Sequence, residues 1–282
     1  MAESATQTAS LAVYHYLCQN IVGIEKHVKT LRMMNNVRDN LQSDKTWTII
    51  TSGSFGEGLQ MRDSDLDVMV VFKFMEICEP TYISFNNDKI HFTMKLDDTQ
   101  PGFTKLRLVQ CNNREILKDC YEAGRDFYIS NLLFKQRFLN DPLSTVHGPC
   151  LSDNDGLFDI ALCLHCKSWI TPAKHWITRS NNSWPSYDVK QSIVKHGVLF
   201  VPIGVKGSTQ EELEWRISFS VGEKLLIFSF THTQLLCYAL VKILLKDVID
   251  LDNDCDMEAA RQAFLLSIEL FPGQKHNRGF HK

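Results

Sequence analysis

Residues 53–67 read Gly-Ser-Phe-Gly-Glu-Gly-Leu-Gln-Met-Arg-Asp-Ser-Asp-Leu-Asp, and this stretch decides the predicted fold and chemistry. A Gly-Ser turn precedes two aspartates, Asp65 and Asp67, which lead into a mainly apolar run. Because residues two apart on a strand point the same way, both carboxylates should leave one face. Paired carboxylates suit Mg²⁺, with nucleotide phosphates completing its coordination. The Gly-Ser turn offers N–H groups and a hydroxyl to those phosphates.

A second interpretation of the same residues stays open. Asp-Ser-Asp is also favourable turn chemistry and can simply precede a strand. The surrounding order favours the nucleotide-and-metal site over this alternative: a strand at Trp47–Thr51, a glycine-rich turn, and an acidic pair that enters a second strand.

The composition allows one large or two smaller domains among 282 residues, and a hydrophobic content of 44% supports a substantial core. The formal charge of −3 lacks the strongly basic balance of most nucleic-acid-binding domains. Local basic clusters at Arg32–Arg38 and Arg125–Arg137 predict mixed-charge solvated faces, with a nucleic-acid groove as the alternative.

Cysteine usage and hydropathy indicate the compartment. The nine cysteines have no framework spacing, and the N-terminus carries no secretory pattern. The most apolar run, Leu235–Leu245, is interrupted by Lys242 and is too short to span a bilayer. We therefore expect reduced thiols in the cytoplasm, with the nucleus as the alternative, and no membrane partner.

Hydrophobic periodicity predicts the main elements. An apolar stripe at three- and four-residue steps predicts one long helix over Ser10–Leu41. Further expected strands are Ile90–Leu96, Leu106–Val109, Leu157–Leu164, Leu199–Val205 and Trp215–Ser220. Further expected helices are Phe127–Leu139, Tyr187–His196, Thr233–Ile249 and Met257–Leu270, the last followed by a tail without regular structure.

The apolar strand at Leu157–Leu164 carries one acid, Asp159. An ionised carboxylate there is costly unless it is paired or binds a metal, so Asp159 is a candidate third acid beside Asp65 and Asp67. The alternative is a strand-end carboxylate in water. The following Cys163-Leu-His-Cys166 has no partner pair at zinc spacing, and the two cysteines should point to opposite faces as buried structural residues.

Three segments of the chain are similar to one family. They are Ser52 through Asp67; Asp159-Ile-Ala-Leu-Cys-Leu-His-Cys-Lys-Ser-Trp169 with Trp184-Pro185; and Glu214-Trp-Arg-Ile-Ser-Phe-Ser-Val-Gly-Glu-Lys224 with His232-Thr-Gln and Cys237-Tyr-Ala-Leu-Val-Lys242. In these segments the chain resembles the Mab-21-like (male-abnormal) nucleotidyltransferase family, which includes cyclic GMP-AMP synthase and the cyclic GMP-AMP synthase-like receptors. The resemblance runs from about Leu11 to Asp250.

The resemblance implies an α+β fold: a nucleotidyltransferase mixed sheet with a long N-terminal spine helix and a helical C-terminal lobe. It divides the chain into a spine helix at 1–44, a core at 45–225 and a helical lobe at 226–282. Active family members join two nucleoside triphosphates into a cyclic dinucleotide. The implied cofactor is Mg (or Mn), and the implied substrates are ATP and GTP.

The resemblance also assigns roles to single residues. Gly53 and Ser54 would hold triphosphate, and Asp65, Asp67 and Asp159 would be the catalytic acids that hold two metal ions. The positions that would contact nucleotide are Arg216, Ser218, Ser220, Glu223 and Lys242. Strand periodicity agrees with part of this assignment, because it places Arg216, Ser218 and Ser220 on one face.

The chain departs from the vertebrate synthase in two respects. The interval between Glu223 and Lys242 offers only His232 and Cys237 as soft ligands, so we expect no zinc and no DNA sensing of the vertebrate kind. We also expect a truncated helical lobe that leaves Leu236, Leu240 and Leu244 in an exposed apolar patch, prone to self-association. Double-stranded RNA or another ligand remains as an expected activator.

Three functions follow from the sequence. The first is a Mg-dependent nucleotidyltransferase that makes a cyclic dinucleotide in innate immune signalling. The second is a catalytically inactive nucleotide-binding or protein-interaction member of the same family. The third is a template-independent nucleotidyltransferase that acts on an RNA or protein end.

Overall fold

The computed structural model describes residues 2–59, 66–79, 86–178 and 184–244. Its α-helices in these ranges are α1 (Ala2–Asn20), α2 (Glu25–Gln42), α3 (Gly53–Glu57), α4 (Asn131–Gln136), α5 (Lys174–Thr178), α6 (Tyr187–His196), α7 (Ser220–Phe228) and α8 (His232–Leu244). Its strands are β1 (Trp47–Thr51), β2 (Leu66–Cys78), β3 (Ile90–Lys95), β4 (Phe103–Gln110), β5 (Cys120–Ala123), β6 (Asp126–Ile129), β7 (Leu143–His147), β8 (Cys150–Asp153), β9 (Phe158–Cys166), β10 (Val198–Val201) and β11 (Glu214–Ser218).

The strands form one mixed sheet in the order β1-β2-β3-β4-β11-β10-β9-β8-β7, with β5 and β6 paired beside β4. Strand β2 changes neighbours along its length: its first half pairs with β1 and β9, and its second half pairs with β3 and, at Glu76, again with β9. Because β9 also pairs with β10, six strands close a circuit of pairings. The predicted α+β architecture, a mixed sheet combined with helices, is confirmed.

Two apolar clusters lie on opposite faces of these strands. The larger cluster takes side chains from all six strands of the circuit, and its largest fully buried members are Trp215, Phe92, Phe134 and Phe200. The smaller cluster consists of Met69, Val71, Ala161, Cys163, Leu199 and Val201. Alternation along β2 and β9 therefore puts Asp67 and Asp159 on the face of the smaller cluster, just beyond its apolar members.

The predicted N-terminal helix is present as two helices. The chain leaves helical geometry between α1 and α2, where Gly23 adopts φ +84° and a Cβ would press on the His27 ring. The apolar periodicity gives no sign of this break, because Leu17, Val22 and Val28, which lie before and after it, pack into one cluster. A shared core partner makes two helices resemble a single amphipathic stripe.

A buried polar network fixes α2 to the end of β1. The Asp39 carboxylate accepts hydrogen bonds from the backbone N–H of Thr51 at 2.9 Å and from its hydroxyl at 2.5 Å. The Arg38 guanidinium donates to the same hydroxyl at 2.9 Å, and Lys224 of α7 donates to the Thr51 carbonyl at 2.9 Å. Thr51 immediately precedes the Gly-Ser turn, so this network positions the turn.

Two predicted elements are wrong. The segment Phe127–Leu139 is not one helix: it contains strand β6, a Ser130 cap that accepts from the Leu133 N–H, and the short helix α4. The predicted strand Trp215–Ser220 ends at Ser218, because α7 begins at Ser220. In both cases the apolar spacing fits either structure over a few residues, and sheet pairing decides between them.

The expected patch at the C-terminal end is corrected in part. Leu236 is 3% exposed, because α8 packs in a cluster with α1 and with Leu59 and Ile227. Leu240 is partly buried on the same cluster, and only Leu244 is exposed. The predictions for residues 245–282, among them the helix Met257–Leu270 and the tail, lie outside the described residues.

Within the described ranges, no helix combines the length and apolarity that a bilayer crossing requires.

We predict that Asp39→Ala lowers the free energy of unfolding by about 3 kcal/mol, because it leaves the Thr51 N–H without its buried acceptor and the Lys224 ammonium, 4.0 Å away, without its countercharge. Urea denaturation followed by circular dichroism measures the change. Glu25→Ala is the control: its ion pair with Lys29 is exposed, so the urea midpoint should not move. Equal midpoints for the two variants would show that the network contributes little.

Candidate functional site

Asp67 and Asp159 meet across the parallel pairing of β2 and β9. The two residues are direct register partners, flanked by the pairs Leu66–Phe158 and Val68–Ile160. Direct partners on neighbouring strands project their side chains from the same face. The sequence predicted that these acids converge, and the structure brings them together. Asp65 lies outside the described residues.

Gly53 closes one side of this acidic pair. It begins α3 with φ +60°, and a Cβ at this position would overlap the Asp67 carboxylate. The neighbouring Ser52 N–H donates to the Asp67 carbonyl at 2.8 Å, which ties the turn to the strand. A glycine is therefore required twice, by its backbone conformation and by the close approach of the acid.

Asp159 is oriented from the neighbouring hairpin of β7 and β8. The Ser152 hydroxyl donates to its Oδ1 at 2.5 Å, and Ser152 is itself the register partner of Asp159 on β8. His147 Nδ1 lies 4.0 Å from the other oxygen, Oδ2, with its ring largely exposed. One oxygen is thus fixed by a buried hydroxyl, whereas the other faces an exposed imidazole.

Arg216 and Ser218 lie on the same face of the sheet. Their register partners on β10 are Val201 and Leu199, which belong to the smaller apolar cluster below the acids. A guanidinium and a hydroxyl are therefore added to the face that carries Asp67 and Asp159. Both side chains are half-buried, which leaves them accessible to a ligand.

Ser220 reaches this group by a different route from the one predicted. It does not share the strand with Arg216 and Ser218, because it is the first residue of α7. The turn at Phe219 nevertheless brings the Ser218 and Ser220 hydroxyls into a short hydrogen bond. Glu223 lies about one turn further along α7, and it has an interaction partner of its own.

Lys242 of α8 lies over the Gly-Ser turn. Its Nζ donates to the Ser54 hydroxyl at 2.8 Å and to Glu57 Oε2 at 3.0 Å. The Tyr238 hydroxyl also donates to the buried Glu57 carboxylate, at 3.1 Å. An ammonium has three N–H donors. Two are engaged here among the described residues, so one is left for a further oxygen such as that of a phosphate.

The charges of the acidic face affect the pKa of the nearby Cys150 thiol. Burial raises the pKa of the Cys150 thiol to about 12, and the charges of Asp159 and Asp67 contribute to the rise. Arg216 and Lys135 oppose it. The thiol therefore stays protonated at neutral pH, and the acids and Arg216 act on the same small region. A reactive cysteine needs a lowered pKa, so Cys150 is not a candidate nucleophile.

Two described acids fit a divalent cation. Asp67 and Asp159 are hard oxygen ligands held side by side, and the missing Cβ of Gly53 leaves room for the Asp67 carboxylate itself. In the part of the chain that the structure describes, no group of three or more His, Cys, Asp or Glu side chains is arranged to hold a metal. The third predicted acid, Asp65, is outside that part.

The cysteine pair at 163 and 166 has structural surroundings. Cys163 belongs to the smaller apolar cluster and Cys166 to the larger one, so the two thiols point to opposite faces as predicted. The intervening His165 contacts the His196 carbonyl through Nε2 at 2.6 Å. His232 contacts the Gly23 carbonyl through Nε2 at 3.0 Å, and Cys237 is exposed.

Sequence reasoning missed two residues that hold the site. Ser152 had no signal of its own, because only the pairing of β8 with β9 reveals its contact with Asp159. Glu57, by contrast, belongs to the Gly-Ser-Phe-Gly-Glu-Gly stretch itself. A carboxylate within a phosphate-binding turn indicates a cation that pairs with it.

We predict that Gly53→Ala lowers both stability and metal-dependent nucleotide binding, because its methyl group displaces the Asp67 carboxylate. Gly124→Ala is a matched control: Gly124 has φ +71° but nothing within 4 Å of its Cβ position. It should cost only the left-handed strain, about 1 kcal/mol. Urea denaturation and nucleotide titration measure both variants. Equal losses would mean that the overlap with Asp67 is unimportant.

Comparison with known proteins adds one family match. No curated protein gives a significant match to the chain. Residues 157–229 match the family model of the Mab-21 protein nucleotidyltransferase domain. This segment includes β9 with Asp159, the paired strands β10 and β11 with Arg216 and Ser218, and α7 with Ser220 and Glu223. The match confirms, over this segment, the resemblance to the Mab-21-like nucleotidyltransferases that the sequence motifs indicated.

Proposed function

We propose that this protein is a Mg-dependent (or Mn-dependent) nucleotidyltransferase that joins ATP and GTP into a cyclic dinucleotide in innate immune signalling. The observation that carries the proposal is the register pairing of Asp67 with Asp159, beside Gly53 and on the face that holds Arg216 and Ser218. The family match supports the nucleotidyltransferase class. The cyclic product, the cofactor and the signalling role are inferred from the resemblance.

Ser54 and Lys242 would bind the triphosphate. The Ser54 hydroxyl and the remaining Lys242 N–H point to one oxygen-rich ligand, and Glu57 holds the ammonium in place through its bond to Nζ. Because Tyr238 donates to the same carboxylate, Glu57 keeps a hydrogen bond when the lysine shifts toward a phosphate. These residues bind and orient the triphosphate but exchange no proton with it.

Arg216 and the two serines would bind the second half of the substrate. Arg216 can neutralise phosphate charge or stack on a base, and Ser218 and Ser220 can exchange their mutual bond for hydroxyls of a ligand. Asp67 and Asp159, with Asp65, would hold Mg²⁺, which when bound supplies Lewis acidity for the attacking hydroxyl and the pyrophosphate leaving group. The other contribution of the chain is positioning and charge neutralisation.

The direct test is incubation with radiolabelled triphosphates in Mg²⁺ or Mn²⁺, with double-stranded RNA and DNA each added as a candidate activator. A cyclic dinucleotide product supports the proposal. Transfer of label to an added RNA or protein end would replace it with the template-independent function. Metal-dependent nucleotide binding without any product, across all activators, would assign the chain to the non-catalytic members.

We predict that Asp159→Asn reduces turnover by about a hundredfold or more, because an amide removes the charge that holds the cation. The melting temperature should hold or rise, since the amide oxygen still accepts from Ser152 and repulsion with Asp67 is relieved. Asp126→Asn, at a part-buried ion pair with Arg107 that includes none of the site residues, should turn over like the parent protein. A large fall in the melting temperature of Asp159→Asn would instead indicate a structural acid.

We predict that Lys242→Gln raises the KM for triphosphate about tenfold, because one charge-assisted contact to phosphate is lost. Lys242→Arg keeps the charge and should recover most of the affinity. Steady-state kinetics, or nucleotide titration where turnover is slow, separates the two variants. If the arginine variant is as weak as the glutamine variant, charge at this position does not serve binding.

A further inference from the structure

A second concave feature lies toward the other end of strand β2 from Asp67. It is a cavity of about 540 Å³ between the segment after α2, strands β1 and β2, and the adjoining ends of β9 and α6. Four lysines line it: Lys45, Lys73, Lys89 and Lys167. The residues assigned to the nucleotidyltransferase cleft above are not among those that line this cavity.

One carboxylate among the lining residues partly balances these lysines. Glu76 Oε2 accepts from Lys89 Nζ at 2.8 Å, and Glu76 Oε1 lies 3.6 Å from Lys167 Nζ. Lys73 donates to the Asp44 carbonyl at 2.6 Å and also interacts electrostatically with the Asp44 carboxylate, which is not among the lining residues. Four positive charges against one negative charge leave the lining of the cavity clearly cationic.

The cationic group is built into the sheet. A register shift between Val71 and Glu76 turns β2 and makes Glu76 the partner of His165 on β9. The Glu76 and Lys89 side chains are each only 21% exposed. Burial opposes both charges, but the hydrogen bond between them prevails, so the pKa of Lys89 is raised and that of Glu76 is lowered. Both groups therefore stay charged at neutral pH.

Two stacked histidines complete the lining. The rings of His165 and His196 lie 4.9 Å apart with an interplanar angle of 27°. His196 Nε2 is buried and has no hydrogen-bond partner among the described residues. Buried polar atoms in native proteins are normally satisfied. Because this nitrogen has less than 1 Å² of exposed surface, the lysines, and not the imidazole, would make the contacts with a ligand in the cavity.

We propose that this cavity binds a small molecule with several phosphate groups, at a site separate from the nucleotidyltransferase cleft. Lysine ammonium groups bind phosphate oxygens as point charges, and several of them converging on one cavity suit a compact polyanion. A nucleic-acid duplex instead requires basic side chains spread along an extended surface. The concave arrangement favours the small molecule.

The test is a calorimetric titration of the full chain with sodium tripolyphosphate, in a buffer that contains EDTA. We expect saturable binding that weakens as salt is raised. Lys89→Gln and Lys167→Gln should each lower the affinity about tenfold, whereas Glu76→Gln should raise it because a repelling charge is removed. Lys118→Gln, at an exposed pair with Glu115, should bind like the parent protein. Thermal melting of each variant checks its fold.

Several results would overturn the proposal. One is the absence of saturable binding. Another is a loss of affinity in Glu76→Gln as well as in Lys89→Gln and Lys167→Gln, which would indicate damage to the sheet. Lys167 is 63% exposed, so its variant should fold and stays informative if Lys89→Gln does not. Binding lost in Lys242→Gln but kept in Lys89→Gln would place the anion in the nucleotidyltransferase cleft. Binding of double-stranded RNA through these lysines, without tripolyphosphate binding, would assign the surface to nucleic acid.

Discussion

The parallel pairing of β2 with β9 is the interaction on which the rest of the structure depends. It joins segments about ninety residues apart and sets Asp67 directly beside Asp159. Two carboxylates in register repel each other, so the arrangement needs a compensating source of stability. The apolar side chains immediately below them, among them Met69, Val71 and Cys163, supply it by packing on the same face. The pairing also allows β2 and β9 to continue to β3 and β10 and so closes the circuit of strands.

Much of this arrangement could be predicted from local sequence, because the signals are local. A glycine-rich turn, an acid followed by an apolar strand, and the face of Arg216 and Ser218 all depend on residues two to five apart. The break between α1 and α2 and the strand at Asp126–Ile129 could not be predicted in the same way. In each case the periodicity fits more than one structure, and contacts with distant segments decide the outcome.

The same distinction explains one wrong expectation, at Leu236, and one contact that the sequence does not reveal, at Ser152. Leu236 was expected to be exposed because the segment after α8 offers little apolar cover, yet α1, from the other end of the chain, covers it. Ser152 was missed because its role exists only through the register of β8 with β9. Sequence patterns identify groups that can do chemistry, but the groups that orient them come from tertiary pairing, for which a single sequence carries almost no signal.

The Gly-Ser turn is held from outside by three side chains that bind backbone carbonyls. Arg32 donates to the Glu57 carbonyl at 2.8 Å, Asn35 to the Phe55 carbonyl at 2.9 Å, and Lys224 to the Thr51 carbonyl at 2.9 Å. Burial lowers the pKa of Arg32 to about 10, which still leaves it charged at neutral pH. A turn fixed in this way loses little entropy when a phosphate binds, and that is how preorganised donors gain affinity. By contrast, two of the four lysines of the second cavity, Lys89 and Lys167, are held by a single carboxylate, Glu76. The two ends of β2 thus differ in how they bind an anion. The acidic end repels an anion unless a cation is bound, whereas the basic end attracts an anion without a cation.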